Sequence, residues 1–325
     1  MLHSVEVCAG AGGQALGLEQ AGFGHAALVE LEGAYCNTLR YNRPHWNVIE
    51  RDLNHFDGRP FRGIDLLAGG LPCPPFSVAG KQLGEQDERN LFPAALRLVD
   101  EIRPRAIMIE NVRGFLDPVF ESYRSGLKRQ LAKLGYVVDW RLLHASSFGV
   151  PQIRPRVIIV GLRKDMASDF KWPVPELAAA PTVGDTLFDL MALRGWRGAA
   201  AWRDGARQIA PTVVGGSKKH GGPDLGPTRA RKAWAVLGVN GLTIAEQAPD
   251  PDFDGIPRLT IRMVARLQGF PDDWAFAGRK TIAYRQVGNA FPPPVARAVA
   301  AQINQVLTGG ISAIAVGRPE AVAAE

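Results

Sequence analysis

The sequence predicts an α/β fold: an open, mostly parallel sheet with helices on both faces, joined to a small irregular second domain. Three observations lead there. Short β-rich runs alternate with helical patterns over the first half of the chain. A glycine turn follows the first of these runs and opens a helix. The alternation dissolves near residue 172 and returns near residue 258. Strand–helix alternation is the pattern of a parallel sheet with crossover helices.

The strand candidates are residues 4–7, 27–29, 64–68, 106–109, 137–142 and 157–160. Before the fifth, Phe120, Tyr123, Leu127, Leu131 and Leu134 recur at helical spacing, and Gly135 is placed to end that helix. From Trp172 to about Pro257 the chain is rich in Gly, Pro, Arg and Trp without clear periodicity, which reads as an insertion or second domain. Periodicity returns over residues 258–274, and beyond Pro292 a helical stripe runs through Val295, Val299, Ile303 and Val306/Leu307. The expected boundaries are 1–172 and 258–308 for the sheet domain, 173–257 for the second domain, and 309–325 for a flexible tail.

The 325 residues are 46% hydrophobic and 22% charged, as in ordinary soluble globular chains. No uncharged apolar run approaches the ~18 residues of a membrane helix, and the N-terminus lacks the basic region of a leader, so membrane and secreted readings are set aside. Cys8, Cys36 and Cys73 are too few for a disulfide scaffold and lack zinc-ligand spacing. A reduced, cytoplasmic protein without a metal is expected. The net charge is +6. Residues 194–232 hold nine Lys and Arg against two Asp and Glu, a local balance of +7, so the remainder is close to neutral. Such a segment suits a polyanion, most simply nucleic acid, although charge alone fits a solvated basic face as well.

Open α/β sheets bind ligands beyond the carboxyl ends of their strands, and several reactive residues fall there. Gly10, Gly12 and Gly13 form a turn into a helix, and Glu30 stands about where a carboxylate would hold ribose hydroxyls. This pattern fits NAD and other adenosine cofactors equally. Cys73 lies between Pro72 and Pro74, a rigid setting for a nucleophile that must be aimed, and the polar residues 78–91 read as a mobile lid. Glu110 ends the apolar run AIMI, where partial burial raises a carboxyl pKa and makes it a proton donor, with Asn111 placed to orient it. Gln152, Arg154 and Arg156 precede the run VIIVG, and alternation puts both guanidiniums on one side of an extended segment. Each motif has a bland alternative: an empty turn, an inert core thiol, a strand-end Glu facing water, solvated edge arginines.

Taken in order, VEVCAGAGGQALGLEQAGF, VELEGAYCNTLRYNRP, RDL, GGLPCPPFSVAG, IENV, FGVPQIRPRVIIVG, RLTIRMVARLQGFPDDW and YRQVGNAFPPPVA resemble the C5-cytosine DNA methyltransferases. The resemblance covers residues 4–162 and 258–304. It implies a Rossmann-like methyltransferase sheet, S-adenosylmethionine as cofactor, and double-stranded DNA as substrate. Cys73 is similar to the thiolate that adds to C6 of a flipped-out cytosine, Glu110 to the acid that protonates N3, and Arg156 to the arginine on the base carbonyl. Arg154, Gln152 and Asn111 support them. The base must leave the stack because neither face of its ring is open in a duplex. The resemblance assigns Glu30 to the cofactor ribose, Asp52 to the adenine amino group and residues 10–13 to the methionine end. Glu6, Cys8, Leu31, Leu53 and Ala290 line the same pocket, and Asn289 links it to the small domain. Residues 181–254 match the place of the target-recognition domain, where Thr212, Lys218, Lys219, Arg229 and Arg231 are the DNA-contacting candidates, joined by Ser77 beside the nucleophile. A monomer is expected, with a cognate restriction endonuclease as a partner that need not touch it.

Four departures stand out. Cys8 and Leu31 replace common aromatics, Leu71 and Pro74 flank the nucleophile where Pro and Gln are usual, and Met263 replaces a common Glu. None removes a group the chemistry needs. An NAD-dependent oxidoreductase would use the glycine turn and Glu30 but leaves Cys73, IENV and QIRPR unexplained together. RNA is the nearer rival; the second cysteine of the RNA-type enzymes is absent from IENV, and no Cys-Phe-Thr signature precedes the late motifs.

Overall fold

The computed structural model describes residues 1–72, 90–175, 178–216 and 222–309. Its strands are β1 (Leu2–Val7), β2 (Phe23–Glu30), β3 (Val48–Glu50), β4 (Leu66–Gly70), β5 (Ala106–Val112), β6 (Tyr136–His144) and β7 (Pro155–Arg163). They form one sheet in the order β3-β2-β1-β4-β5-β7-β6. Pairing is parallel from β3 to β5, and β7 runs antiparallel between β5 and β6. All six expected runs are strands. β3 is the addition, three partly exposed residues at the sheet edge with too little apolar pattern to be read.

The helices of the first half are α1 (Gly13–Gln20), α2 (Gly33–Asn42), α3 (Phe92–Ile102) and α4 (Glu121–Lys133). α3 and α4 cover one face, packing Leu98, Val99, Leu127 and Leu131 with Val5, Val7, Ile107 and Ile109. α4 stops as expected, with Gly135 in the left-handed region at φ 95°. β5 is covered on both faces, which explains why it reads as a continuous apolar run. β6 alternates buried and exposed residues, as an edge strand with one wet face does.

Among its described residues, the stretch expected to be irregular contains the short helices α5 (Val183–Met191), α6 (Ala199–Gly205) and α7 (Thr228–Val236). None is long enough to stamp a clear period on the sequence. Trp196, Trp202 and Trp234 are buried among them. The first two donate their indole N–H to Phe253 O and Gly238 O, each at 3.0 Å, so these tryptophans fasten loops. One apolar cluster joins Val183, Leu187 and Trp234 to Leu16, Leu39 and Trp46. This region therefore shares one core, which also includes Met263, Trp274 and Tyr284, with the side of the sheet that carries α1 and α2.

The last described helices are α8 (Ile261–Leu267), α9 (Lys280–Asn289) and α10 (Pro293–Leu307). α10 covers the second sheet face, setting Val295, Val299, Ile303 and Leu307 against Leu66, Ala68, Met108 and Ile158. α1 lies so close to it that a methyl group at Gly17 would sit 2.5 Å from Ala296 Cβ. α8 starts at Thr260, whose hydroxyl accepts from Met263 N at 3.3 Å. Met263 Sδ takes the return bond from Thr260 N at 3.4 Å. Methionine thus fills the third helical position of a capping box, a place suited to the Glu it replaces.

Candidate active site

The carboxyl ends of the parallel strands gather most of the residues singled out by sequence. β1 leaves the sheet at Val7, and Cys8 follows with φ 52°, a strained conformation for a residue with a side chain. Gly10 and Gly12 are also left-handed, at φ 57° and 83°. Glu30, at the end of β2, fixes this turn. Its Oε2 accepts from Gly10 N at 2.8 Å, and its Oε1 accepts from Leu31 N and Glu32 N at 2.9 Å each. Burial pushes its carboxyl pKa up, although those three N–H groups pull the other way. Glu6 lies within β1, 1% exposed, and burial with the Glu30 charge beside it holds its carboxyl well above the usual range.

The three glycines do different work. A side chain at Gly10 would meet only Cys8 O, at 4.0 Å, so that side of the turn is open. At Gly12 it would lie 2.7 Å from Leu39 and 3.0 Å from Trp274, and at Gly13 it would strike Phe291 O. Packing thus requires Gly12 and Gly13, whereas at Gly10 it is the left-handed backbone that favours glycine. Trp274 also donates its indole N–H to Ala11 O at 3.1 Å, pinning the turn from 263 residues away. Trp274 belongs to the motif RLTIRMVARLQGFPDDW, in which nothing local marks this contact. Beyond β3, Asp52 accepts from Asn54 N at 2.8 Å and Leu53 is buried beneath. Leu31, Glu50, Arg51, Asp52 and His55 line an open recess there.

The second half of the site lies at the ends of β4 and β5. Glu110 is in register with Gly70 of β4 and Ile158 of β7. Arg156 Nε stands 2.7 Å from Glu110 Oε1, and both side chains are largely buried, at 13% and 6% exposure. Burial pushes the Glu110 carboxyl pKa up, partly offset by Arg156 and Arg154. Arg154, fully buried, donates to Val213 O at 2.7 Å, Gly288 O at 3.0 Å and Ala290 O at 2.9 Å. Gln152 is buried as well, and its Oε1 accepts from Val213 N at 3.0 Å. Alternation along β5 turns Asn111 to the face opposite Glu110, where its Oδ1 accepts from Val112 N at 2.9 Å. Among the described residues Arg156, rather than Asn111, is the group that touches Glu110.

Cys73, Ser77, Lys218 and Lys219 lie outside the described residues, as does most of the expected lid. Cys73 comes three residues after the end of β4, the strand that pairs with β5 beside Glu110. The other two thiols are poor nucleophiles. Burial and the carboxylates of Glu30, Glu6 and Asp52 raise the pKa of Cys8, and burial takes Cys36 up to about 11. The Thr212 hydroxyl donates to Ile153 O, joining the stretch after α6 to the QIRPR segment. Asn289 donates to Gly216 O at 3.3 Å, a second link, from α9 to that stretch. Arg229 is exposed on α7, and Arg231 donates to Thr228 Oγ1 at 3.3 Å.

Comparison with known proteins shows what the whole chain is similar to. The sequence profile of the C-5 cytosine-specific DNA methylases matches residues 2–305. The chain is 56% identical over 308 residues to the type II methyltransferase M.NgoMIV of Neisseria gonorrhoeae, covering 94% of this chain and 97% of that protein. It is 55% identical over 312 residues to the type II methyltransferase M.NaeI of Lentzea aerocolonigenes, covering 94% and 75%. Among solved structures, the Entamoeba histolytica methyltransferase EhMeth superposes with a TM-score of 0.65 at 14% identity, over 96% of this chain and 99% of that one. At that identity the likeness concerns the fold.

Proposed function

The chain belongs to the C-5 cytosine-specific DNA methylase family, and from that premise we propose how its own residues divide the work. It is a DNA (cytosine-5-)-methyltransferase, and the type II relatives support a role beside a cognate restriction endonuclease. Its substrate is a specific double-stranded sequence from which one cytosine is turned out. Among the described residues no helix is long and apolar enough to cross a membrane.

The observation that carries the reading is the buried Glu110–Arg156 pair at the carboxyl edge of β5. A buried carboxyl with a raised pKa keeps its proton to a higher pH than a free one and can give it to N3 of the base. Arg156, beside it, is suited to the base carbonyl. Protonation at N3 withdraws electrons from C6, where the Cys73 thiolate adds. Release then requires loss of the C5 proton and departure of the Cys73 sulfur. The open side of Gly10, the Glu30 carboxylate and the recess at Asp52 fit S-adenosylmethionine: Glu30 would hold ribose hydroxyls, Asp52 the adenine amino group, and Leu31, 59% exposed, an adenine face. When bound, this cofactor supplies the methyl group. Cys8 cannot stack on a ring as an aromatic does, which leaves more of that contact to Leu31. Residues 173–257 serve as the target-recognition domain, acting on DNA as part of a monomer.

DNA carrying 5-fluorocytosine at the target tests the assignment, because fluorine cannot leave as the C5 proton does. A covalent protein–DNA adduct at Cys73 is expected by peptide mass mapping. An adduct at Cys8 or Cys36, or methylation by Cys73→Ala, would overturn it.

A further inference from the structure

Four stretches far apart in the chain meet in one buried polar cluster behind the Glu110–Arg156 pair. Besides holding Val213 N, Gln152 donates from Nε2 to Leu267 O at 3.1 Å and to Gln268 Oε1 at 2.7 Å. Gln268 in turn donates from Nε2 to Ala290 O at 2.6 Å. Arg154 donates to that same carbonyl at 2.9 Å, so both lone pairs of Ala290 O are engaged. Gln152, Arg154 and Gln268 are all fully buried. The end of α8, the end of α9, the start of β7 and residue 213 of the second domain are thereby tied at one point.

Its position gives the cluster a bearing on the chemistry. Gln152, Arg154 and Arg156 alternate along one segment, so anchoring the first two fixes where the third projects. Arg156 sits 2.7 Å from Glu110, and a guanidinium that drifts leaves the acid misaligned. We infer that Gln268 is a positioning residue for methyl transfer: it holds Gln152 and the Ala290 carbonyl where Arg154 can set Arg156 against Glu110. The inference rests on the roles proposed above for Glu110 and Arg156. Gln268 has no contact with those two residues and acts only through its neighbours.

Its effect is therefore expected on the rate of the bound complex. The test is Gln268→Leu, which keeps the bulk and removes both polar atoms. Single-turnover methylation at saturating DNA and cofactor should slow by about tenfold to hundredfold, the scale of a misplaced reacting group. The DNA KM and the cofactor Kd should change less than about threefold, well below that loss. Gln152→Leu should cause a similar loss, and the double variant should be no worse than the poorer single one, since both break one network. Should the leucine variant be too unstable to purify, Gln268→Met is read the same way, with thermal denaturation as the folding control. An unchanged single-turnover rate, a loss confined to KM, or additive losses in the double variant would overturn the inference. The Glu110→Gln control separates the failures: if it methylates at the wild-type rate, the underlying reading fails. If it is strongly slowed while Gln268→Leu is fully active, only the positioning role fails.

Discussion

At the scale of single residues, the acid role proposed for Glu110 ties the rate to its charge state. Its carboxyl pKa is raised by burial, and Arg156 and Arg154 limit the rise. A raised pKa keeps the acid form populated at higher pH, so proton donation is available below that pKa and is lost as pH climbs through it. Glu110→Gln should bind DNA normally yet methylate about 10²–10⁴-fold more slowly, the usual worth of general acid help. Its single-turnover rate should also lose the wild-type fall toward alkaline pH. A near-normal rate would show that N3 is activated by another group. The sequence pointed to Glu110, Arg156 and Glu30 because they belong to compact motifs at strand ends. It could not assign Gln268 or Trp274, whose roles depend on partners 116 and 263 residues away. Nor could it tell that Gly12 and Gly13 are glycines because Trp274 and Phe291 press on them.

At the scale of elements, legibility followed burial and length. β5 and α10 were plain because continuous apolar runs or stripes have to be buried. β3 and α9 were missed for the opposite reason: one is three residues long, and the other, KTIAYRQVGN, carries a polar majority. The helices α5 to α7 are seven to nine residues long and depend on buried tryptophans instead of a repeating stripe. α8 shows how a short helix is held. Thr260 satisfies one of its free N–H groups, while the Met263 thioether is a weak acceptor for the reciprocal bond. Thr260→Ala should therefore destabilise the protein by about 1 kcal/mol in urea unfolding, the ordinary cost of a missing N-cap. A stability equal to wild type would mean that packing of α8 makes the cap redundant.

At the scale of the whole molecule, the unpaired charge of residues 194–232 is narrower than the sequence count suggests. Residues 194–232 carry nine basic groups, but the structure pairs several of them with carboxylates. Arg194 meets Asp250 at 2.6 Å, Arg197 meets Asp252 at 2.9 Å, and Asp204 takes Arg203 at 3.0 Å and Arg207 at 3.8 Å. Asp250 and Asp252 lie beyond the segment, so a local count along the chain misses them. Arg229 and Lys232 on α7 have no ion-pair partner among the described residues, and Lys218 and Lys219 precede that helix. Counterion release should therefore come from the second group. Charge removal at Lys218, Lys219 or Arg229 is expected to lower the slope of log affinity against log salt by about 0.9 for each phosphate no longer neutralised. Arg194→Gln and Arg197→Gln should leave that slope nearly unchanged, because their charges are already matched. Should Arg229 read a base instead, its removal would relax preference at one position by about 1–3 kcal/mol and spare the slope. Cofactor affinity should hold in every variant, since Gly10, Glu30 and Asp52 lie on the sheet domain. Salt titrations of DNA binding, run beside cofactor titrations for each variant, check all of these. If Arg194→Gln flattened the slope as much as the lysine changes did, the paired arginines would have to open toward DNA, and the division of charge drawn from the ion pairs would be wrong.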